Sequence, residues 1–336
     1  MTSRKVVVTA AGGPEVLQVV DTDAPSPRRG QVRIRVHAAG VAFGDVMRRR
    51  GVLAPRRPFT PGYDVAGVVD AIGAGVHGVD LGDRVAAMMP KAGIGGYADH
   101  ACVPARRLAR VPDSVDFDEA VCLGLNYITA YQLIHRFVNL DAGQRILVHG
   151  AAGGVGTALL DLGRLAGLEM YGTASAPKHD LVRERGATPI DYRSEDFVER
   201  VAELTRGQGV DAVYDGIGGE HLRRSYQTLR RGGTLVSFGV SGDVDRGLRG
   251  VVGGMGAFLR LKLRWDRRRV RLYMITVSRG AWPSRCSADW ETLLGLRAEG
   301  KLNPIVGARV PLADVSRAHE LLDRAAVVGK IVLTNA

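Results

Sequence analysis

The chain is predicted to be an α/β protein in which a β-rich unit, antiparallel or barrel-like, is joined to a doubly wound parallel sheet. Three observations carry this. Roughly the first hundred residues hold short β-branched runs bounded by Gly and Pro. From about residue 115 onward, helix-length amphipathic segments alternate with buried strand runs. One of those strands runs straight into a glycine cluster and then a helix-compatible stretch, the order that a phosphate-binding turn requires.

Taken in order, strands of the β-rich part are expected at Lys5 to Thr9, Gln31 to Ala38, Asp64 to Ile72 and Gly82 to Ala87. In the alternating part the buried strands are expected at Arg145 to His149, Glu169 to Thr173, Val210 to Tyr214 and Thr234 to Phe238, with a helix over Thr157 to Gly167. The tail adds a helix over Asp314 to Asp323 and a final strand, Gly329 to Thr334, suited to return to the first unit. No internal repeat is present.

Composition bounds the reading. A chain of 336 residues, 46% hydrophobic and 24% charged, suits a soluble globular protein of two domains, or of one domain plus an insertion. Its 44 glycines follow no fixed period, which argues for tight turns rather than low complexity. The net charge of +11 would suit nucleic acid, a membrane surface or a phosphorylated cofactor, but the excess is mostly dispersed arginine. Residues 260–271 are the exception, with Arg260, Lys262, Arg264, Arg267, Arg268, Arg269 and Arg271 clustered. There Leu259, Leu261, Leu263 and Trp265 alternate with basic residues, so the segment reads as a strand with one basic face as readily as a helix. Cys102, Cys122 and Cys286 are too few and too separated for a disulfide scaffold or a CxxC zinc site, and a reducing cytoplasm fits them. The opening MTSRKVVVTA lacks a signal-peptide core, and no window reaches the roughly 18 apolar residues that span a bilayer. The eight histidines show no HExxH or paired spacing.

The strand Arg145 to His149 leads into Gly150-Ala151-Ala152-Gly153-Gly154-Val155-Gly156. Glycine there permits the tight turn, lets backbone approach a pyrophosphate and lets the helix pack closely, while the helix start offers free N–H groups to the anion. An NAD-specific site needs Asp or Glu after the second strand, about 20 residues beyond the first glycine. This chain has Thr173-Ala174-Ser175 instead, with Lys178 three residues on, where an ammonium reaches a 2′-phosphate. The expected cofactor is therefore NADPH on a Rossmann domain. The plain alternative for Lys178 is a solvated lysine opening a helix.

These residues, together with Gly40 to Asp45, Pro61-Gly62-Tyr63-Asp64, Gly82-Asp83-Arg84-Val85, Thr129-Ala130-Tyr131, Asp191-Tyr192-Arg193 and Gly329 to Leu333, resemble the quinone oxidoreductase (zeta-crystallin-like) branch of the medium-chain dehydrogenase/reductase superfamily. The likeness covers nearly the whole chain, and Leu259 through Ser278 looks more like the vesicle amine transport protein-like subgroup. It implies a GroES-like catalytic domain from residues 1–122 and 272–336, a Rossmann NADPH-binding domain from 123–271, and a homodimer. It also implies that Ser175, Lys178 and Tyr192 hold the 2′-phosphate, and that Thr129, Ala152, Gly153, Gly154, Val155, Gly156, Phe238 and Gly239 complete the cofactor site. Zinc-dependent members place Cys, His and Cys around the metal. Here the first two positions are Ala42 and Tyr63, no cysteine lies near Asn126, and the four-cysteine lobe is missing, so no metal is expected.

Typical quinone reductases carry Asn in place of Ala42 and a Tyr close to Leu53, so the resemblance implies a less polar pocket. Without a metal, hydride from NADPH needs an electron-poor acceptor polarised by hydrogen-bond donors. The expected reaction is reduction of the carbon–carbon double bond of an α,β-unsaturated carbonyl compound, as in enoyl reductases, with specialised-metabolite biosynthesis as one setting. Tyr63 is the first candidate donor and Tyr127 the second, both equally suited to a cleft wall; Asp45 is the third candidate catalytic residue. Enoyl reductase domains of the superfamily carry a proton-delivering Lys and Asp that match Lys178 and Asp196, but the phosphate role suits Lys178 better. Two alternatives stand: an NADPH:quinone oxidoreductase, and a non-catalytic NADPH-binding protein acting through RNA, membrane or partner binding.

Overall fold

The computed structural model describes residues 1–90, 94–275 and 282–335, and these divide into two units, one from 1–128 and 276–336, the other from 129–275. The first unit opens with an antiparallel hairpin of β1 (Thr2–Val8) and β2 (Leu17–Asp23). Next come β3 (Gln31–Val41), β4 (Asp64–Ile72), β5 (Arg84–Met88), β6 (His100–Pro104) and β7 (Leu108–Arg110). In β3 the residues Val32, Ile34 and Val36 are buried while Arg33 and Arg35 turn outward, the period-two pattern of a sheet with one core face.

The second unit carries β8 (Arg145–His149), β9 (Glu169–Ala174), β10 (Ala187–Asp191), β11 (Val210–Asp215), β12 (Leu229–Ser237) and β13 (Arg269–Leu272). All pair in parallel in the order β10-β9-β8-β11-β12-β13. This is the doubly wound Rossmann order, whose reversal point lies between β8 and β11. Ile146, Leu147 and Val148 of β8 are wholly buried, as a central parallel strand covered on both faces must be. The helix Gly154–Leu165 follows β8 and packs on β8 and β9 through a buried face that includes Ala158, Leu159 and Leu162.

The chain then returns to the first unit, where β14 (Val306–Pro311) and β15 (Lys330–Thr334) complete a seven-stranded sheet of order β14-β15-β3-β4-β5-β7, with β6 also on β3. The expected return of the last strand is thus realised, β15 pairing antiparallel with β3. The basic segment resolves into two elements rather than one. A helix, Gly247–Lys262, ends before a turn in which Arg267 takes a φ of +66°, and β13 begins at Arg269. Residues 276–278 of the subgroup likeness lie outside the described residues.

Candidate functional site

In the parallel-sheet unit the turn after β8 starts at Gly150, whose φ of +66° only glycine adopts without strain. Gly153 is the N-cap of the next helix; its N–H donates to the Gly150 carbonyl at 2.9 Å and its own carbonyl accepts from Thr157 N–H at 2.8 Å. A Cβ on Gly156 would press on the Gly150 carbonyl oxygen and lie 2.7 Å from Ala151 Cα. The N–H groups of Gly154, Val155 and Gly156 open the helix and have no intrahelical acceptor. Ala152 is buried beneath this turn and Gly153 is exposed on it.

Register brings the other predicted cofactor residues together. Ala174 of β9 pairs with Asp191 of β10, so Ser175 and Tyr192 leave the ends of adjacent strands side by side. Lys178 follows in a 3₁₀ turn, its N–H donating to the Ser175 carbonyl at 2.9 Å. Its ammonium is held below the usual lysine range, first by burial and then by the positive charge of Arg193. Tyr192 is 54% exposed and lies beneath the Arg193 guanidinium, 5.8 Å from its ring centroid. Arg193 therefore adds a second cation beside Lys178. The sequence offers its place next to Tyr192 as the only signal for it. Phe238 and Gly239 follow β12; the Phe238 N–H donates to the Asp215 carbonyl at 2.9 Å, and its ring packs on Gly216. Thr129 is buried in the short helix Ile128–Gln132.

Asp196, weighed as a proton donor, caps the helix Phe197–Leu204 by accepting from Val198 N–H at 2.8 Å and pairs with Arg224 at 2.9 Å. Its carboxyl is held below the usual range, chiefly by that backbone hydrogen bond. A buried polar knot that the sequence does not announce joins the ends of β8 and β11. Ser225 Oγ lies 2.6 Å from Asp215 Oδ2 and 3.0 Å from His149 Nε2, and His221 Nδ1 lies 2.7 Å from Asp215 Oδ2. Burial pushes His149 down to about 3, so the ring is neutral, and Asp215 also accepts from Ile217 and Gly218 N–H. Among the described residues this is the one grouping with metal-ligand atoms in reach of each other, and its members satisfy one another.

In the other unit, Ala42 is the N-cap of a helix, Phe43–Arg49, and Asp45 sits at its third position. Asp45 is fully buried and accepts from Ala42 N–H, Gly62 N–H and Tyr97 hydroxyl, each at 3.0 Å. Burial raises its carboxyl to about 6, against the pull of those hydrogen bonds. The carboxylate thus faces backbone and Tyr97, a positioning arrangement that fixes the Gly62 turn next to Tyr63. Gly62 has φ +109°, and a side chain there would meet Gly96 and Tyr97 at 2.7 Å. Tyr63 is 8% exposed, packs its hydroxyl against Gly44 and lies 4.5 Å beneath the Arg48 guanidinium. Burial, and then the Asp45 charge, raise its phenol further, so it stays protonated. Tyr127 is buried at the end of a π-helical turn, Leu123–Tyr127. Leu53 takes a left-handed φ of +51° and is 57% exposed. Cys122 is a buried thiol pushed up to about 12 by burial.

Comparison with known proteins places these features among relatives. Residues 28–113 match a family described as alcohol dehydrogenase GroES-like domain, and residues 186–333 one described as zinc-binding dehydrogenase. A quinone oxidoreductase of Pseudomonas aeruginosa is 33% identical over 98% of this chain and 99% of its own. The synaptic vesicle membrane protein VAT-1 homolog of Rattus norvegicus is 39% identical over 71% of this chain, and the match spans 59% of that relative's length. The crystal structure of Escherichia coli quinone oxidoreductase complexed with NADPH superimposes with a TM-score of 0.84 at 30% identity, covering 100% of both chains.

Proposed function

Because the chain belongs to the quinone oxidoreductase branch of the medium-chain dehydrogenase/reductase superfamily, we propose that it is an NADPH-dependent oxidoreductase whose acceptor is a quinone. The observation that carries the cofactor is the meeting of Ser175, Lys178, Tyr192 and Arg193 at the ends of β9 and β10, with no carboxylate closing β9. Two neighbouring cations repel each other, and a 2′-phosphate relieves that repulsion with charge-assisted hydrogen bonds. The glycine turn suits a pyrophosphate, since the helix Gly154–Leu165 starts on it with N–H groups that have no intrahelical acceptor, and Gly153 leaves the turn's exposed surface without a side chain. When bound, NADPH supplies the hydride.

The chain's own groups then have definite tasks. Tyr63 keeps its proton at neutral pH and donates a hydrogen bond to the acceptor carbonyl, stabilising the negative charge that develops on oxygen. Asp45 acts through backbone, holding the Gly62 turn that aims Tyr63. Tyr127 is a second buried donor candidate.

The carbon–carbon double-bond reading keeps one observation in its favour, a buried methyl at Ala42 where quinone reductases carry Asn. The quinone names of the relatives favour the first reading. An acceptor panel with NADPH separates them. Quinones are expected to be turned over and simple alcohols to be inert, with Tyr63→Phe lowering kcat about tenfold or more. Turnover of enones alone would move the acceptor to the second reading. NADPH binding without oxidation by any acceptor would reject the enzyme in favour of the non-catalytic alternative.

A further inference from the structure

The β-rich unit buries two polar side chains, Tyr63 and Asn126, each only 8% exposed. Among the described residues no hydrogen bond or ion pair reaches the Tyr63 hydroxyl or the Asn126 carboxamide, and both groups stay open to solvent. A buried amide without a partner is costly, so a fold that keeps one has a use for it. The backbone explains how Asn126 comes to stand near Tyr63. It lies in the π-helical turn Leu123–Tyr127, a rare form met most often at functional sites. Gly124 leaves the helical conformation with a ψ of −117°, and a Cβ on it would lie 2.5 Å from Asp64 Oδ2 and 3.0 Å from the Trp290 ring. Trp290 pins the preceding helix, Phe117–Cys122, by donating from Nε1 to the Ala120 carbonyl at 3.0 Å. Asp64 follows Tyr63 in the chain, and its Oδ2 accepts from Leu125 N–H at 2.8 Å. The neighbour of Asn126 is thus tied to the neighbour of Tyr63.

The chemistry of the two groups identifies what they meet. The Asp64 carboxylate is engaged by Leu125 N–H and by the Lys330 ammonium at 3.1 Å, which leaves the carboxamide to a ligand. A protonated phenol donates, and a carboxamide both donates from Nδ2 and accepts at Oδ1. When a quinone takes up a hydride from NADPH and a proton from water, its two carbonyls become two hydroxyls, so hydrogen-bond acceptors turn into donors. A carboxamide serves both states by turning over, whereas a carboxylate or an ammonium serves one. We propose that Asn126 is a catalytic residue alongside Tyr63, donating from Nδ2 to the acceptor's carbonyl oxygen and sharing the negative charge that hydride addition places there. The proposal rests on the reading of this chain as a reductase of carbonyl acceptors, and it holds for a quinone or an enone.

Steady-state kinetics of the full chain with NADPH and either benzoquinone or cyclohexenone, beside thermal unfolding and NADPH affinity, test it. Asn126→Leu should lower kcat about 10- to 100-fold, less than the loss of a sole oxyanion donor because Tyr63 remains. KM should change little, since the bond strengthens as charge develops on oxygen, and NADPH affinity should not change. The melting temperature should hold or rise, because leucine replaces an amide that has no partner to lose. Asn126→Asp should lose more activity than Asn126→Leu, since a carboxylate repels the forming oxyanion. An active wild type whose kcat survives Asn126→Leu would overturn this proposal alone. So would a lowered melting temperature in Asn126→Leu with unchanged kcat, which would make the amide a structural group. A wild type inert with both acceptors would overturn the reductase reading and the proposal together.

Discussion

Replacing Gly156 by valine is expected to weaken NADPH binding by about 100-fold or more, equivalent to roughly 2.7 kcal/mol, and to destabilise the parallel-sheet unit. The cause is local and rigid. A side chain at this position meets the Gly150 carbonyl oxygen and lies 2.7 Å from Ala151 Cα, both backbone atoms of the turn itself. The helix Gly154–Leu165 can accept it only by lifting off the turn, which breaks the alignment of the first N–H groups with a bound pyrophosphate and adds an overpacking cost of about 1–3 kcal/mol. Gly253→Ala is the matching control, because a Cβ there has nothing within 4 Å and alanine should stabilise the helix by about 0.8–1 kcal/mol. Thermal unfolding and a fluorescence titration with NADPH read both effects. Wild-type melting and affinity in Gly156→Val would contradict this account of the turn.

The second large effect is expected at Lys330. Its ammonium lies 3.1 Å from Asp64 Oδ2 and 3.4 Å from Oδ1, and both residues are almost wholly buried. Asp64 Oδ2 also accepts from Leu125 N–H at 2.8 Å. The pair spans Gly40 on β3, so it ties β15 to β4 across the strand between them. Lys330→Met leaves the Asp64 carboxylate buried and uncompensated, a loss of about 3–5 kcal/mol. Adding Asp64→Asn removes the stranded charge and should restore much of the stability, since a buried ion pair is worth little over a neutral replacement. Urea unfolding of the two single variants and the double variant gives the coupling directly. A Lys330→Met protein as stable as wild type would show that the pair is not closed in solution.

Much of this fold is legible in the sequence because its strands are β-branched and well punctuated. Asp64–Ile72 and Arg145–His149 form over the residues expected, and Gln31–Val41 runs only three residues further. What hides from a linear reading has physical reasons. The strand β10 contains Pro189, which argues against a central strand but is tolerated at the edge of the sheet, where β10 lies. The early part of β12 carries Arg230-Arg231-Gly232-Gly233, which reads as a turn, so its start is expected at Thr234 rather than Leu229. In the candidate site the glycine turn is legible because strand, turn and helix are contiguous. Lys178 is legible from the missing carboxylate after the second strand, whereas the phosphate roles of Ser175 and Tyr192 are reached through family likeness. Asp45 with Tyr97, 52 residues apart, and Asp64 with Lys330, 266 apart, leave no spacing signal, because only the folded sheet brings them together.

Whether the ends of β9 and β10 recognise the 2′-phosphate of NADPH is decided by titration calorimetry of NADPH and NADH into wild type and Lys178→Ala. The wild type is expected to bind NADPH more tightly than NADH. Lys178→Ala should lose about 1.5–3 kcal/mol toward NADPH, the range for a charge-assisted hydrogen bond, with NADH affinity nearly unchanged. Equal wild-type affinity for the two cofactors, or a Lys178→Ala loss of the same size for both, would contradict it.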